Sequence, residues 1–403
     1  MKLKQELFEK PVFMKSMELN KMNKVLQSLQ PRMAEIFSHL HAHAEISWQE
    51  QQTTQYIANL LKEANLDPQM FDDMTGLYVD IGKGTPKVGF RTDIDALWQE
   101  VDGVFKANHS CGHDGHMTMA IGTALLLKGM EPALPGAVRI LFQPAEEKAE
   151  GARALVEKGI IDDLDYLFGV HVRPLKELQD GTYAPALYHG AAKLFTGTIF
   201  GEQAHGAWPE LGINAIEVGA AIVEGLQKIW TDPNVSASAK MTQFNAGGTS
   251  ANVIPGKATF SIDARAQTNE VMHALTEGIE RVKASVEVMY SAKIDLQVAA
   301  HIVAALVHDE ALEHMRAAII DVVGHTACAS PVVTPGGEDF HFYTYEKPEL
   351  KATMLGLGCG VTPGLHHPNM TFNRERLVTG VDIITKAILR ALSDVTSHGD
   401  SKP

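Results

Sequence analysis

The chain has 403 residues, enough for two or three domains, with 45% hydrophobic and 21% charged residues; that balance excludes disordered, collagen-like and coiled-coil classes. Lys and Arg total 35 against 49 Asp and Glu, a net charge of −14, so the surface repels phosphate backbones and no nucleic-acid partner is expected. Three cysteines, Cys111, Cys328 and Cys359, cannot form a disulfide framework in so long a chain and point to a reducing, cytoplasmic compartment.

Residues 1–31 are charged and amphipathic and lack the continuous apolar core of a signal peptide. Further along, short apolar runs end in polar residues, as buried parallel strands do. Residues 88–90 lead into Arg91-Thr92-Asp93-Ile94-Asp95, residues 137–142 into Gln143-Pro144-Ala145-Glu146-Glu147, and residues 166–170 into His171. Helical patterns over 117–130 and 151–158 lie between them. Strands alternating with helices predict an α/β sheet, whose chemistry gathers at the carboxyl ends of its strands. The most apolar stretch, residues 117–127, is shorter than the roughly 20 residues of a membrane span, so no membrane partner is expected.

From about residue 187 the texture changes. Residues 196–200 alternate as a strand does, and 214–230 place Ile216, Ala220, Val223 and Leu226 on related faces of a helix. Strands follow over 239–244 and 257–264, then a helix over 271–290 and a strand near 293–298. This β-α-β-β-α-β order predicts a ferredoxin-like α+β domain. Amphipathic helix resumes near residue 307 with Leu312, Met315, Ala318 and Ile319, and a last helix covers 377–392. The layout is one α/β domain, residues 1–186 and 303–403, interrupted by an inserted domain, residues 187–302; residues 398–403 are expected to fray.

Asn108-His109-Ser110-Cys111-Gly112-His113-Asp114-Gly115-His116 packs one Cys and three His into nine positions. On a helix Cys111 and His113 would face different ways, whereas a loop or extended turn can aim both at one ion. The competing reading is a helix start near Asp114 with its histidines solvated. The pair Glu146-Glu147 suits metal-assisted hydrolysis, which wants one carboxylate on an ion and another to take a proton from water. Alone, the pair reads more readily as an acidic first helical turn. His171 ends an apolar strand, where an unpaired imidazole is costly, and His366-His367 lies in a loop. Each segment is weak by itself; the four together supply thiolate, imidazole and carboxylate donors for two borderline metals. His39, His41 and His43 read as surface histidines. Gly356-Leu357-Gly358-Cys359-Gly360 lacks the helix and lysine of a phosphate loop, and no Gly-X-Ser-X-Gly elbow occurs in the sequence.

Taken together, Arg91-Thr92-Asp93-Ile94-Asp95-Ala96-Leu97, Cys111-Gly112-His113-Asp114-Gly115-His116, Pro144-Ala145-Glu146-Glu147, Gly169-Val170-His171 and Leu365-His366-His367-Pro368 resemble subfamily D of the metallopeptidase M20 family. These are amidohydrolases that include aminoacylases, hippurate hydrolases and auxin-conjugate hydrolases, and the motifs match in order from about His41 to the final helix. The resemblance implies a zinc-exopeptidase-like catalytic domain carrying two divalent ions (Zn, Mn, Co or Ni) and an inserted ferredoxin-like lid. It implies Cys111, His113, Glu147, His171 and His366 as metal ligands and Glu146 as general base. His366 is preferred to His367 because the family motif carries one His followed by a variable residue and Pro. In the lid, Gly201-Glu202-Gln203-Ala204-His205-Gly206-Ala207-Trp208-Pro209 implies that His205 helps hold substrate. Asn252-Val253-Ile254-Pro255 and Asp263-Ala264-Arg265 imply Asn252, and after it Arg265, as contacts for a substrate carboxylate. Gly337-Glu338-Asp339-Phe340 matches a catalytic-domain loop near the site. The chain departs from the pattern at Ala44 and Trp98, where the family usually has Pro, and at Lys148-Ala149-Glu150, where it has more glycine. Trp98 is expected to reshape the pocket mouth.

The expected activity is metal-dependent hydrolysis of an N-acyl amino acid or similar small amide, by a homodimer pairing through a lid sheet edge. A dipeptidase or carboxypeptidase of the same chemistry is the nearest rival. A catalytically silent metal-binding protein is the rival of another class, and the intact Glu146-Glu147 pair argues against it.

Overall fold

The apolar runs near residues 88, 137 and 166 pair as parallel strands of one sheet in the computed structural model, which describes Ser16–Gly399. The expectations for residues 1–31, no signal peptide, and for residues 398–403, a frayed tail, fall in part on residues 1–15 and 400–403, which lie outside the described residues. The sheet has seven strands, in the order Gln69–Met70, Leu77–Ile81, Ala137–Gln143, Pro86–Asp93, Tyr166–Pro174, Lys351–Val361 and Tyr183–Ala184. The four from Ala137–Gln143 to Lys351–Val361 run parallel, and the outer ones are antiparallel. Register sets where the polar residues emerge. Asp93 lies opposite Gln143 and ends its strand, and Phe90 lies opposite Phe168. His171, expected to end its strand, instead stays in the sheet opposite Gly356, because Tyr166–Pro174 runs on beside Lys351–Val361.

Burial explains why the strands read as continuous apolar runs: both faces are covered. The helix His113–Met130 has buried residues around most of its circumference. Its Met119 and Ile121 join one core with Ile36 and Phe37 of Ser16–Ala42, Phe90 and Phe168 of the sheet, and Ile384 and Ile388 of Arg376–Gly399. Fully burying such a side chain contributes about 1.5–3 kcal/mol, so this core anchors the strand ends rigidly. Among the described residues no helix is long and apolar enough to cross a membrane.

The chain divides into two units. One comprises the chain up to Leu187, then Leu306–Val332, and the chain from Phe342 onward; the other is Tyr188–Ala305 with Val333–His341. The Gly337–Phe340 motif therefore falls in the second unit, although its sequence position suggested the resumed catalytic domain. Within the second unit an antiparallel sheet has the order Ala237–Ala246, Lys257–Ala266, Ala191–Phe200, Lys293–Ile302. Helices Ala215–Leu226 and Asn269–Tyr290 are capped by Asn214 and Thr268, whose side chains accept from the Ile216 and Val271 amides. They bury Val218, Ile222, Leu275 and Ile279 with Phe195, Ile199, Phe260 and Ile262 of the sheet. Order, direction and one-sided helices make this the ferredoxin-like arrangement.

Candidate active site and metal centre

The Cys-His segment is half turn and half helix. Gly112 has φ of 90°, and a Cβ there would lie 2.5 Å from the Val172 side chain, so only glycine fits. The helix starts at His113, four residues earlier than its apolar pattern suggested. This left-handed residue reverses the chain between Cys111 and His113, so their donor atoms and that of His171 lie within 4.8 Å of one another. The solvated-histidine reading fails: His113 is 1% and His116 0% exposed.

The two glutamates sit on a second tight turn. Strand Ala137–Gln143 ends in Pro144, Ala145 (φ 52°), the short 3-10 helix Glu146–Lys148, and Ala149 (φ 55°). A left-handed conformation at a non-glycine residue costs about 1–2 kcal/mol, so the surroundings must impose it. Gly151 is part of that enforcement, since a Cβ there would meet the Pro144 carbonyl oxygen at 1.7 Å. The Asp95 carboxylate accepts the amides of Glu146 and Glu147 at 3.1 and 3.0 Å. The acidic pair is thus no solvated helix start. Donor atoms of Glu146 and Glu147 fall within 4.8 Å of one another and of one on His113.

The third turn carries His366, also left-handed at φ 63°. Its amide donates to the Ser110 carbonyl at 2.7 Å, and its own carbonyl accepts from Gln99 Nε2 at 3.1 Å. Asn108 ties the same loop through the Pro368 carbonyl. These bonds swing His366 Nε2 to 3.6 Å from Glu147 Oε1 and group it with Cys111 and Glu147. His367 instead caps its own loop, accepting the Asn369 amide on Nδ1. Trp98, on the hairpin Leu97–Val101/Val104–Asn108, is 60% exposed. Strand alternation puts it on the opposite face from Gln99, so it points away from the His366 loop and does not shape this part of the site.

In His113 and His171 the Nδ1 nitrogen is committed to a backbone carbonyl. His113 Nδ1 donates to the Asp95 carbonyl at 2.9 Å, and His171 Nδ1 donates to the Val172 carbonyl at 2.6 Å. That leaves both Nε2 atoms aimed inward, the arrangement of metal-ligating histidines. His171 Nε2 lies 3.5 Å from Cys111 Sγ, and His113 Nε2 lies 3.9 Å from both Glu146 Oε2 and Glu147 Oε1.

The electrostatics suit a cation. His113 Nε2 and Glu147 Oε1 are buried without a hydrogen-bond partner, a costly condition unless a cation takes both. Burial pushes the Cys111 thiol well above its usual range, and Glu147 adds to the rise. Burial lifts Glu147 to about 7, against the pull of His113 and with Asp95 and Asp93 adding. His171 is driven well below its ordinary value by burial and by His116. Burial would lower His113 too, but Asp93, Cys111 and Asp95 outweigh it and hold the imidazole well above its ordinary value. A bound divalent ion inverts this balance. The mixed thiolate, imidazole and carboxylate set suits a borderline transition metal.

The sequence reading missed the supports. His116 donates from Nδ1 to Asp93 at 2.7 Å and accepts the Val172 amide on Nε2 at 3.0 Å, so the Asp93–His113–His116 group braces the site. His41 is exposed, as read, and also donates to buried Asp114 at 2.7 Å; exposed His43 and half-buried His39 stack on one another. Asp95 and Glu50, both wholly buried, carry the acidic turn. A buried acid beside a motif was the available signal for Asp95; Glu50 had none.

In the second unit, His205 and Asn252 are neighbours on the pair Ala204–His205/Val253–Ile254, with the Gly206 amide donating to the Asn252 carbonyl at 2.8 Å. His205 Nδ1 accepts the Ala207 amide at 3.0 Å, which places its proton on exposed Nε2. Arg265 is elsewhere, in strand Lys257–Ala266, paired side-on with Asp263 at 2.9 and 3.1 Å.

The model of peptidase family M20/M25/M40 matches residues 89–390. The chain belongs to the M20 family. It is 32% identical to an N-acetylcysteine deacetylase of Bacillus subtilis, over 84% of this chain and 91% of that protein. It is 30% identical to an IAA-amino acid hydrolase of Arabidopsis thaliana, over 90% of this chain and 86% of the relative. Among solved structures it superposes on a dinuclear metal-binding M20 peptidase of Bacillus subtilis with a TM-score of 0.78 and 28% identity, covering 91% and 99% of the two chains. Family and neighbour both suggest divalent metal ions for this M20 protein.

Proposed function

We propose that this M20 hydrolase removes the acyl group from N-acyl amino acids or similar small linear amides, with two divalent ions and Glu146 as general base. The observation that carries the reading is the overlap of the donor groups. Cys111 is shared by a group with His113 and His171 and a group with Glu147 and His366, while Glu147 joins His113 and Glu146 in a third. Overlapping groups are what two adjacent ions need. Cys111, His113, Glu147, His171 and His366 would hold them; when bound, such ions polarise the amide carbonyl and lower the pKa of water. Glu146 takes the water's proton and passes it to the departing amine nitrogen. His205 offers its Nε2 proton to the substrate, and Asn252 receives the carboxylate. Arg265 comes second in that role because Asp263 already occupies its fork. The substrates for which two relatives are named, N-acetylcysteine and IAA-amino acids, support the N-acyl amino acid class. A cytoplasmic homodimer completes the reading, supported by the open sheet edges Ala237–Ala246 and Lys293–Ile302 and the 91% exposed Trp230.

Hydrolysis of a panel of N-acetyl and N-benzoyl amino acids, with dipeptides alongside and metal analysis of the same preparation, tests this. Turnover of the N-acyl compounds that chelation abolishes and Zn, Mn, Co or Ni restores is the expected result. Faster cleavage of dipeptides would move the assignment to a dipeptidase. A demonstrably metal-free protein with full activity would end the two-ion reading.

A further inference from the structure

The segment before helix Gln51–Glu63 reaches Asp95 and the turn that carries Glu146 and Glu147. Ser47 Oγ donates to Asp95 Oδ2 at 2.6 Å, and Trp48 Nε1 donates to Glu150 at 2.6 Å. Glu50 reaches deepest. It is 0% exposed, and its Oε1 accepts the amide of left-handed Ala145 at 2.9 Å while its Oε2 accepts from Thr75 Oγ1 at 2.6 Å. The Glu50 backbone is fixed as well, since its carbonyl accepts both the amide and the hydroxyl of Thr54 at 2.9 and 2.6 Å. Thr54 Oγ1 in turn accepts the Gly76 amide at 2.9 Å. Gly76 is packed so closely on the acidic loop that a Cβ there would lie 2.7 Å from both the Phe142 carbonyl and the Pro144 ring. Three segments distant in sequence thus close a ring through Glu50, Thr75–Gly76 and Pro144–Ala145.

We propose that Glu50 is a positioning residue for the Glu146–Glu147 pair. By gripping the Ala145 amide from a rigid mount, it holds Ala145 left-handed, and that single backbone state sends the next two carboxylates in different directions. Asp95 then takes the two amides that follow. Released, Ala145 relaxes toward the right-handed region that an alanine prefers, and both carboxylates rotate off their aim. The inference rests on the roles proposed for Glu146 and Glu147. Its effect is on turnover: displacing a reacting group by about 1 Å can cost 10²-fold.

The test uses the full chain, metal-loaded, assayed on N-acetyl-L-cysteine and on whichever panel compound turns over fastest. Glu50→Ala should lower kcat by about 10–100-fold with KM within about threefold. Glu50→Gln keeps an acceptor for the Ala145 amide and can donate to Thr75, so it should stay within about threefold of the parent. Ala145→Gly removes the preference against the left-handed state, so added to Glu50→Ala it should restore at least part of the lost kcat, measured alongside single Ala145→Gly. A residue that merely stabilises the fold would not give this rescue. In the Glu146→Gln background Glu50→Ala should cost little more, because both act through one group. If Glu146→Gln is itself fully active, the base assignment fails whatever Glu50 does. If Glu146→Gln is inactive while Glu50→Ala keeps its kcat, or if the Glu50→Ala loss is neither spared by Gln nor relieved by Ala145→Gly, the positioning inference is overturned. Should Glu50→Ala not fold, Thr75→Val removes one anchor only; a fall of about 3–10-fold in kcat then supports the inference, and an unchanged kcat overturns it.

Discussion

His116 and Asp93 share a hydrogen bond of 2.7 Å that spends the imidazole's Nδ1 proton, while Nε2 is spent on the Val172 amide. Asp93 also accepts from Arg91 at 2.8 Å. Burial alone would raise this carboxyl, but His113, His116 and Arg91 outweigh it and hold it well below the usual range. A histidine in the middle of a metal-like motif is therefore a brace between a strand end and the strand beside it.

His116→Ala should cost stability first. It strips a partner from a fully buried carboxylate and leaves a buried amide unsatisfied, each worth about 1–3 kcal/mol. Urea unfolding of the metal-free protein should show a clearly lowered midpoint. Loss of a metal equivalent with no change in that midpoint would make His116 a ligand instead.

The two glutamates should separate by rescue. Glu146→Gln keeps shape and hydrogen bonding but takes no proton, so metal content should hold while turnover falls by at least about 10²–10⁴-fold. Glu147→Gln removes an anionic donor, so metal affinity should fall first, and excess metal should recover part of the activity. A reversed pattern would exchange the roles, and near-normal turnover in both would sink the hydrolytic mechanism.

Because its exposed Nε2 proton is fixed by the Ala207 amide, His205 is suited to a substrate contact and not to metal binding. His205→Ala should lower kcat/KM substantially at unchanged metal stoichiometry. Kinetics identical to the parent would leave His205 an ordinary surface histidine.

The pair Asp180–Arg376, at 2.9 and 3.2 Å, should leave a signature in stability against pH. Arg376, with Asn373, holds Asp180 below its ordinary 3.8 although burial acts the other way. A carboxyl lower in the folded than in the unfolded state stabilises above the unfolded value and loses that contribution as pH falls through the folded one. Both side chains are about a third exposed, so screening limits the effect of Asp180→Asn to about 0.2–1 kcal/mol. The loss should appear in urea midpoints at pH 7 and 5 and shrink below pH 4; a loss that grows toward acid would contradict the sign.

The sequence by itself determined the elements and the cast of chemical groups. The apolar runs before Asp93, Gln143 and His171 are continuous because both faces of their strands are covered, so the strands were legible from composition, although the last runs on past His171 to Pro174. The β-α-β-β-α-β order was legible because helix and strand periods are written locally. Cys111, His113, Glu146, Glu147 and His171 stood out as improbable polar residues at strand ends and a helix start. What tertiary structure decided was aim and support. Gly112, Ala145 and His366 are left-handed, and the residues that hold or demand those states lie far away: Val172 against Gly112, Glu50 on Ala145, Ser110 and Gln99 on His366. The bracing role of His116 and the pairing of His41 with Asp114 follow from such contacts. The physical reason is range. Burial and periodicity are properties of a short window, whereas the direction of a side chain on a turn is fixed by hydrogen bonds and packing against segments distant in sequence, whose proximity only the fold creates.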